Sequence, residues 1–111
     1  MPIDARQLES GTAVITVSGR LALGSEVERL DTVLSDLLTK QQKKFVLDIT
    51  AMDYADSSGI GMLVSCLTKV KKSGGDLRMA GANPRIQRIF KMTGVDQLMR
   101  TFATVAEAVA E

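Results

Sequence analysis

The sequence predicts an α/β fold in which a mixed sheet of four to five strands is covered by about four helices. Segments rich in β-branched residues alternate with segments whose apolar residues recur at helical spacing. The first two strand-like segments are joined by a short turn, which predicts an antiparallel pair, and helices separate the later ones, which predicts parallel strands. The length of 111 residues fits one domain, residues 1–111.

The chain opens with a predicted hairpin. Residues 13–18 partly alternate apolar and polar side chains and are dominated by β-branched residues, which favours a strand. Residues 4–9 are expected to pair with this strand at the sheet edge, with Ser10-Gly11 as the turn.

The first helix is predicted to begin at Ser25, because Ser25 and Glu28 have the spacing of a capping box. It is expected to run to about Lys40. One apolar stripe follows the helix, and its members are Val27, Leu30, Leu34, Leu37 and Leu38.

Residues 45–49 are almost continuously apolar, which predicts an interior strand. Residues 50–55 are expected to form a short loop, and a second amphipathic helix follows it. The apolar stripe of this helix consists of Ile60, Leu63, Val64, Leu67 and Val70. Ser73-Gly74-Gly75 is expected to end the helix, because glycine accepts the left-handed backbone conformation.

The remaining elements continue the alternation. Residues 76–80 and 98–102 are predicted strands, separated by a helix that begins at Asn83-Pro84 and stops at Thr93-Gly94. A second capping box, from Thr104 to Glu107, predicts a short terminal helix.

The composition excludes several classes of function. A net charge of +1 gives no electrostatic attraction to nucleic acid or to an anionic membrane. The chain has no histidine, which excludes a Ser-His-Asp triad and a His-based metal site. Its one cysteine, Cys66, is expected in the core. With no apolar run of spanning length and no visible secretion signal, we expect a cytoplasmic protein.

The segment Asp56-Ser57-Ser58-Gly59 stands at the predicted start of the second helix, where two interpretations are open. The serines cap the helix, or one of them receives a phosphate beside the positive end of the helix dipole. A cofactor loop is not favoured, since Gly59 and Gly61 lack the third glycine or the lysine of nucleotide-binding motifs.

Asp48, Asp53 and Asp56 are close enough in sequence to suggest Mg²⁺, yet a magnesium site usually also has a phosphate ligand or a clear nucleophile. Asp48 is better interpreted as a hydrogen-bonding residue at a strand end and Asp56 as the helix cap. We therefore expect no metal, no cofactor and no catalytic residues.

The segments 45–49 and 56–61 resemble the characteristic motif of bacterial anti-sigma-factor antagonists, the STAS domain family. The resemblance continues through residues 72–77, 83–86 and 89–95, in the order that the family has. It covers about the whole chain, and it implies the STAS fold.

The resemblance implies a switch and not an enzyme. Members of this family bind an anti-sigma factor that is also a serine kinase, and the binding frees a sigma factor. Phosphorylation at the motif ends the binding, and a PP2C-type phosphatase removes the phosphate. Matching the motif residue by residue makes Ser57 the phosphoacceptor, with Ser58 as the fallback. The alternative is a STAS scaffold or lipid-transport subunit that is never phosphorylated.

The residues expected to contact the partner are Arg20, Asp56, Ser57, Ser58, Gly59, Ile60 and Met62. Ile60 lies on the core stripe of its helix, whereas Met62 lies off it, so both a partner contact and boundary packing are open for Met62. Many relatives carry an acidic residue where this chain has Ala22, a difference that bears on the partner's identity.

Overall fold

A five-stranded sheet forms the centre of the computed structural model, which describes residues 3–110. Its strand order is β1-β2-β4-β6-β7; β1 runs antiparallel to β2, and the other neighbours are parallel. In chain order the elements are β1 (Ile3–Gln7), β2 (Thr12–Val17), β3 (Gly19–Leu21), α1 (Ser25–Thr39), β4 (Lys44–Asp48), β5 (Met52–Ala55), α2 (Ser57–Lys72), β6 (Asp76–Ala80), α3 (Pro84–Thr93), α4 (Val95–Leu98), β7 (Thr101–Phe102) and α5 (Val105–Ala110). The predicted mixed α/β sheet with its first hairpin is confirmed.

The two faces of the sheet have separate apolar clusters, because neighbouring residues of a strand point to opposite faces. On one face, Leu47 of β4 belongs to the cluster that contains Leu30 and Leu34 of α1 and Leu63 of α2. On the other face, a smaller cluster is completed by the terminal helix α5, and its buried members are Val14, Val46, Ala80 and Ala108. The amphipathic stripes predicted for the two long helices therefore face the core.

A second, two-stranded sheet was not predicted. The expected loop at residues 50–55 contains β5, which pairs in parallel with β3. Both strands are short, and β5 has only its first and last residues buried, so neither gives a recognisable alternation. This small sheet positions the start of α2, because α2 follows β5 directly.

The predicted capping box of α1 is wrong. Gly24 occupies the cap position, and Ser25 is already the first helical residue. The Ser25 hydroxyl donates a hydrogen bond to the carboxylate of Glu26. A serine caps a helix only from the flanking, non-helical position, so a shift of one residue removes this role.

The caps predicted for the later helices are confirmed. The side chain of Asn83 accepts a hydrogen bond from the amide of Ile86, and Gly94 ends α3 with a left-handed backbone, at φ 82°. The Thr104 hydroxyl accepts a hydrogen bond from the amide of Glu107 at the start of α5, which is one half of the predicted capping box. The return bond, from the Thr104 amide to the Glu107 carboxylate, is not formed within residues 3–110.

The strand predicted over residues 98–102 is shorter than expected. Only Thr101–Phe102 pairs with β6, while Leu98 ends the short helix α4. Gly94 allows the chain to turn into a new helix directly after α3, which the apolar pattern alone does not indicate. Within residues 3–110, no helix combines the length and the apolar character that crossing a membrane requires.

Cys66 should be unreactive in the folded protein. It is buried in α2, and burial raises the pKa of its thiol to about 12, while the thiolate is the reactive form. We expect no reaction with Ellman's reagent at mildly alkaline pH under native conditions, and release of one equivalent of the thiol reporter after unfolding in urea. Rapid labelling of the native protein would show that α2 opens away from the sheet.

Candidate functional site

Asp56 begins the candidate site, because it caps α2 and also binds a second segment. Its carboxylate oxygen Oδ1 accepts a hydrogen bond from the amide of Gly59 at 2.8 Å, which confirms the predicted cap. Its other oxygen, Oδ2, accepts one from the amide of Leu23 at 3.0 Å, in the segment between β3 and α1. One carboxylate thus fixes the helix start and the neighbouring segment together.

The charge of Asp56 is stabilised by these hydrogen bonds. The amides of Leu23 and Gly59 hold the pKa of the carboxyl group below its usual range, and the nearby Arg20 guanidinium acts in the same direction. Because the folded-state pKa is lowered, this stabilisation is present above the ordinary carboxyl pKa and is lost as pH falls through the lowered one. At neutral pH the group is an anion.

Gly59 allows α2 to lie close to β3. A Cβ atom at this position would lie 2.1 Å from the carbonyl oxygen of Leu21 and 3.0 Å from its carbonyl carbon. The amide of Asp56 donates a hydrogen bond to the same Leu21 oxygen. Gly59 is itself buried, so its place in the site is one of packing beneath the surface.

Ser57 is the first residue of α2 and is exposed, while Ser58 is half-buried. Neither hydroxyl forms a hydrogen bond within residues 3–110, so neither is occupied in capping the helix. Since Asp56 caps the helix, the Ser57 hydroxyl is left available at the surface, next to a fixed carboxylate.

Three exposed side chains belong to the segments next to Asp56, the residue before the two serines. The Arg20 guanidinium lies 4.4 Å from the centroid of the Tyr54 ring, across the β3–β5 pair. Leu23, whose amide Asp56 binds, is 79% exposed. We call the set Arg20, Leu23, Tyr54, Ser57 and Ser58 the Ser57 surface.

The other residues singled out near the site, Ile60, Met62 and Ala22, are less exposed than most of the Ser57 surface. Ile60 and Met62 are both partly buried and pack against the main core cluster, which supports boundary packing for Met62. Their contact with a partner stays a prediction. Ala22 is half-buried beside Leu23. Sequence analysis missed Leu23 and Tyr54; the only signal was an apolar residue, Leu23, in a segment with no apolar periodicity.

Of the three aspartates that suggested a magnesium site, Asp48 and Asp56 bind different protein groups, and Asp53 is exposed in β5. Asp48 accepts hydrogen bonds from the amide and the hydroxyl of Thr50, as expected for a residue at a strand end. Asp56 is occupied by the two amides described above. Residues 3–110 contain no group of three or more His, Cys, Asp or Glu side chains arranged to hold a metal ion.

The STAS domain family model matches residues 3–108 of this chain. Among characterised relatives, the anti-sigma-B factor antagonist of Staphylococcus aureus is 28% identical over 85 residues, which cover 77% of this chain and 78% of that protein.

Solved structures share the fold at low sequence identity. Protein TM1081 of Thermotoga maritima superimposes with a TM-score of 0.88 at 19% identity, over 97% of this chain and 92% of that chain. The phosphorylated form of the Bacillus cell fate determinant SpoIIAA gives 0.75 at 20% identity, over 97% and 96%. A sulfate transporter family protein from Wolinella succinogenes gives 0.82 at 22% identity, over 95% and 87%. The fold is the STAS fold, as the sequence motifs implied.

Proposed function

Since the chain belongs to the STAS domain family, we propose that it is an anti-sigma-factor antagonist whose binding is ended by phosphorylation of Ser57. Its partner is an anti-sigma factor that is also a serine kinase, and binding to that partner frees a sigma factor. The relative from Staphylococcus aureus is named an anti-sigma-B factor antagonist. The observation that carries the proposal is the exposed Ser57 hydroxyl, which forms no hydrogen bond while Asp56 caps the helix.

In the proposed phosphorylation of Ser57, this chain is the substrate of the kinase. The Ser57 hydroxyl oxygen attacks the γ-phosphorus of ATP, an O–P bond forms, the bond to ADP breaks, and the hydroxyl proton passes to a base. That base belongs to the kinase, because the chain has no histidine and the lowered pKa of Asp56 makes its carboxylate a weak base. The protein is accordingly a regulatory binding module and not an enzyme.

A phosphate on Ser57 is compatible with the fold. It adds about −1.5 to −2 charges at the N-terminus of α2, where the helix dipole favours an anion by about 0.3–1 kcal/mol. The anionic Asp56 next to it opposes this attraction. These effects are small, so binding is lost mainly through bulk and charge placed in the partner interface.

The Ser57 surface fits a protein partner. Tyr54 and Arg20 are residue types that often dominate binding energy at interfaces, and Leu23 offers an exposed apolar side chain beside them. Because Ala22 adds no negative charge here, we expect the partner's complementary surface to be less basic than that of partners whose antagonist has an acidic residue at this position.

The remaining parts of the proposal complete the cycle. A PP2C-type phosphatase hydrolyses the phosphoserine and restores binding, and the cycle takes place in the cytoplasm. Residues 1–111 act as a single STAS domain.

The alternative is a constitutive scaffold or lipid-transport subunit, and a sulfate transporter family protein does share the fold.

Incubation with ATP and the candidate anti-sigma factor kinase encoded near this chain's gene should place a single phosphate on Ser57. Tandem mass spectrometry of the digested protein maps the modified residue, and Ser58→Ala serves as the control for the fallback position. We expect Ser58→Ala to be phosphorylated as the natural sequence is. An unmodified chain that still binds the kinase would instead favour the scaffold.

A further inference from the structure

A groove outside the Ser57 surface lies between α3, α4 and the end of β7. Its volume is about 690 Å³. It is lined by Ala82, Pro84, Gln87, Arg88, Phe90, Lys91, Asp96, Thr101, Phe102 and Ala103, none of which belongs to the Ser57 surface. Small-molecule sites typically enclose about 300–1,000 Å³ and, in sheets of parallel strands, lie beyond the carboxyl ends of the strands. The groove has a volume within this range, is partly open to solvent, and lies next to the ends of β6 and β7.

Two cations of α3 line this groove without any anionic partner. Arg88 and Lys91 are three positions apart, so they lie on the same side of the helix. Both are exposed, and neither forms an ion pair within residues 3–110. The helix contains no acidic residue, and Asp96 is the one acidic residue that lines the groove.

The wall opposite α3 is partly aromatic. Phe102 is half-buried, and the Arg100 guanidinium lies 5.1 Å from the centroid of its ring. The ring, Ala82 and Ala103 supply apolar surface to the groove. Paired cations beside an apolar wall suit a compact molecule that carries an anionic group at one end and an apolar group at the other.

We propose that this groove binds a small organic anion. Arg88 and Lys91 hold its phosphate or carboxylate group, and Phe102 contacts its apolar part. The groove is partly open to solvent, and its volume lies within the range of small-molecule sites, which favours a small molecule over an acidic protein segment. The proposal is independent of the role of Ser57.

The test is a titration of the ¹⁵N-labelled protein with phenyl phosphate, benzoate and inorganic phosphate, followed by amide shifts. We expect saturable shifts around the groove. Stronger binding of phenyl phosphate than of benzoate identifies a phosphate ligand, and the reverse order a carboxylate. Inorganic phosphate should bind more weakly than phenyl phosphate, because it cannot contact Phe102.

Matched variants separate a specific site from general charge attraction. Arg88→Gln should weaken phenyl phosphate binding about tenfold or more, as expected for loss of a charged hydrogen bond. Arg85→Gln removes the same charge from the same helix, but Arg85 does not line the groove, so it should change affinity less than twofold. Asp96→Asn should strengthen binding, because it removes the one repelling carboxylate.

All three positions are exposed, so the variants should fold, and their amide spectra check this directly. Equal weakening by Arg85→Gln and Arg88→Gln would show that the anion is attracted non-specifically by the positive charge of α3, and would overturn the proposal. The absence of saturable shifts with every probe would overturn it as well. Binding of an acidic peptide without binding of any small anion would assign the groove to a protein partner instead. Ser57→Ala should bind phenyl phosphate normally, whatever its effect on the kinase.

Discussion

Replacing Gly59 by alanine should lower the free energy of unfolding by about 1–3 kcal/mol, the usual cost of overpacking a tightly packed position. The added methyl group would lie 2.1 Å from the carbonyl oxygen of Leu21, and the obstacle is backbone, which cannot rotate away as a side chain can. To relieve this contact, α2 must move away from β3. Urea denaturation followed by far-ultraviolet circular dichroism measures the change.

Gly61→Ala is the matched control, since it makes the same change two residues further along the same helix. A Cβ atom at Gly61 meets no atom within 4 Å, and the position is exposed. Alanine has the higher helix propensity, so this variant should gain about 0.5–1 kcal/mol. The two substitutions should thus act in opposite directions. Equal stability of both variants would contradict the close contact between α2 and β3.

The position of α2 also determines the Ser57 surface. Asp56 donates its amide to Leu21 and accepts the amides of Gly59 and Leu23, so a shift of the helix disturbs all three hydrogen bonds. We therefore expect Gly59→Ala to weaken partner binding through the displaced surface, even where the protein remains folded. The buried glycine contributes to binding without touching the partner.

The elements that were predictable are those specified by local sequence. The apolar run of β4 and the stripe of α2 are each encoded within one segment, and so is the Asn83-Pro84 start of α3. The strands β3 and β5 were missed because three and four residues carry too little pattern, and each is stabilised by the other across the intervening chain. Their pairing is a tertiary effect.

The candidate site likewise has one part that local sequence predicts and another that depends on contacts between distant segments. The capping role of Asp56 follows from its position before the helix. Its second hydrogen bond joins residues 33 positions apart, and nothing in the local sequence around Leu23 indicates it. The surface around Ser57 therefore required the structure, whereas the serine itself could be singled out from its motif.

Ser57→Asp should weaken binding to the anti-sigma factor by at least about tenfold, while Ser57→Ala should retain it. The Ser57 hydroxyl forms no hydrogen bond within residues 3–110, so its removal leaves no buried group unsatisfied and no contact of the fold is lost. The aspartate instead adds a charge beside the anionic Asp56, in the centre of the proposed interface. Isothermal titration calorimetry with the purified partner gives both affinities.

Ser57→Asn separates charge from size, because asparagine has nearly the shape of aspartate and is neutral. If charge ends the interaction, Ser57→Asn should bind much better than Ser57→Asp; if bulk alone does so, the two should be equally weak. Equal affinity of Ser57→Ala, Ser57→Asn and Ser57→Asp would place Ser57 outside the interface and remove the basis of the switch. Asparagine and aspartate are both tolerated at a helix start, and alanine removes no hydrogen bond, so all three variants should fold. Any loss of affinity can then be assigned to the changed side chain at the surface.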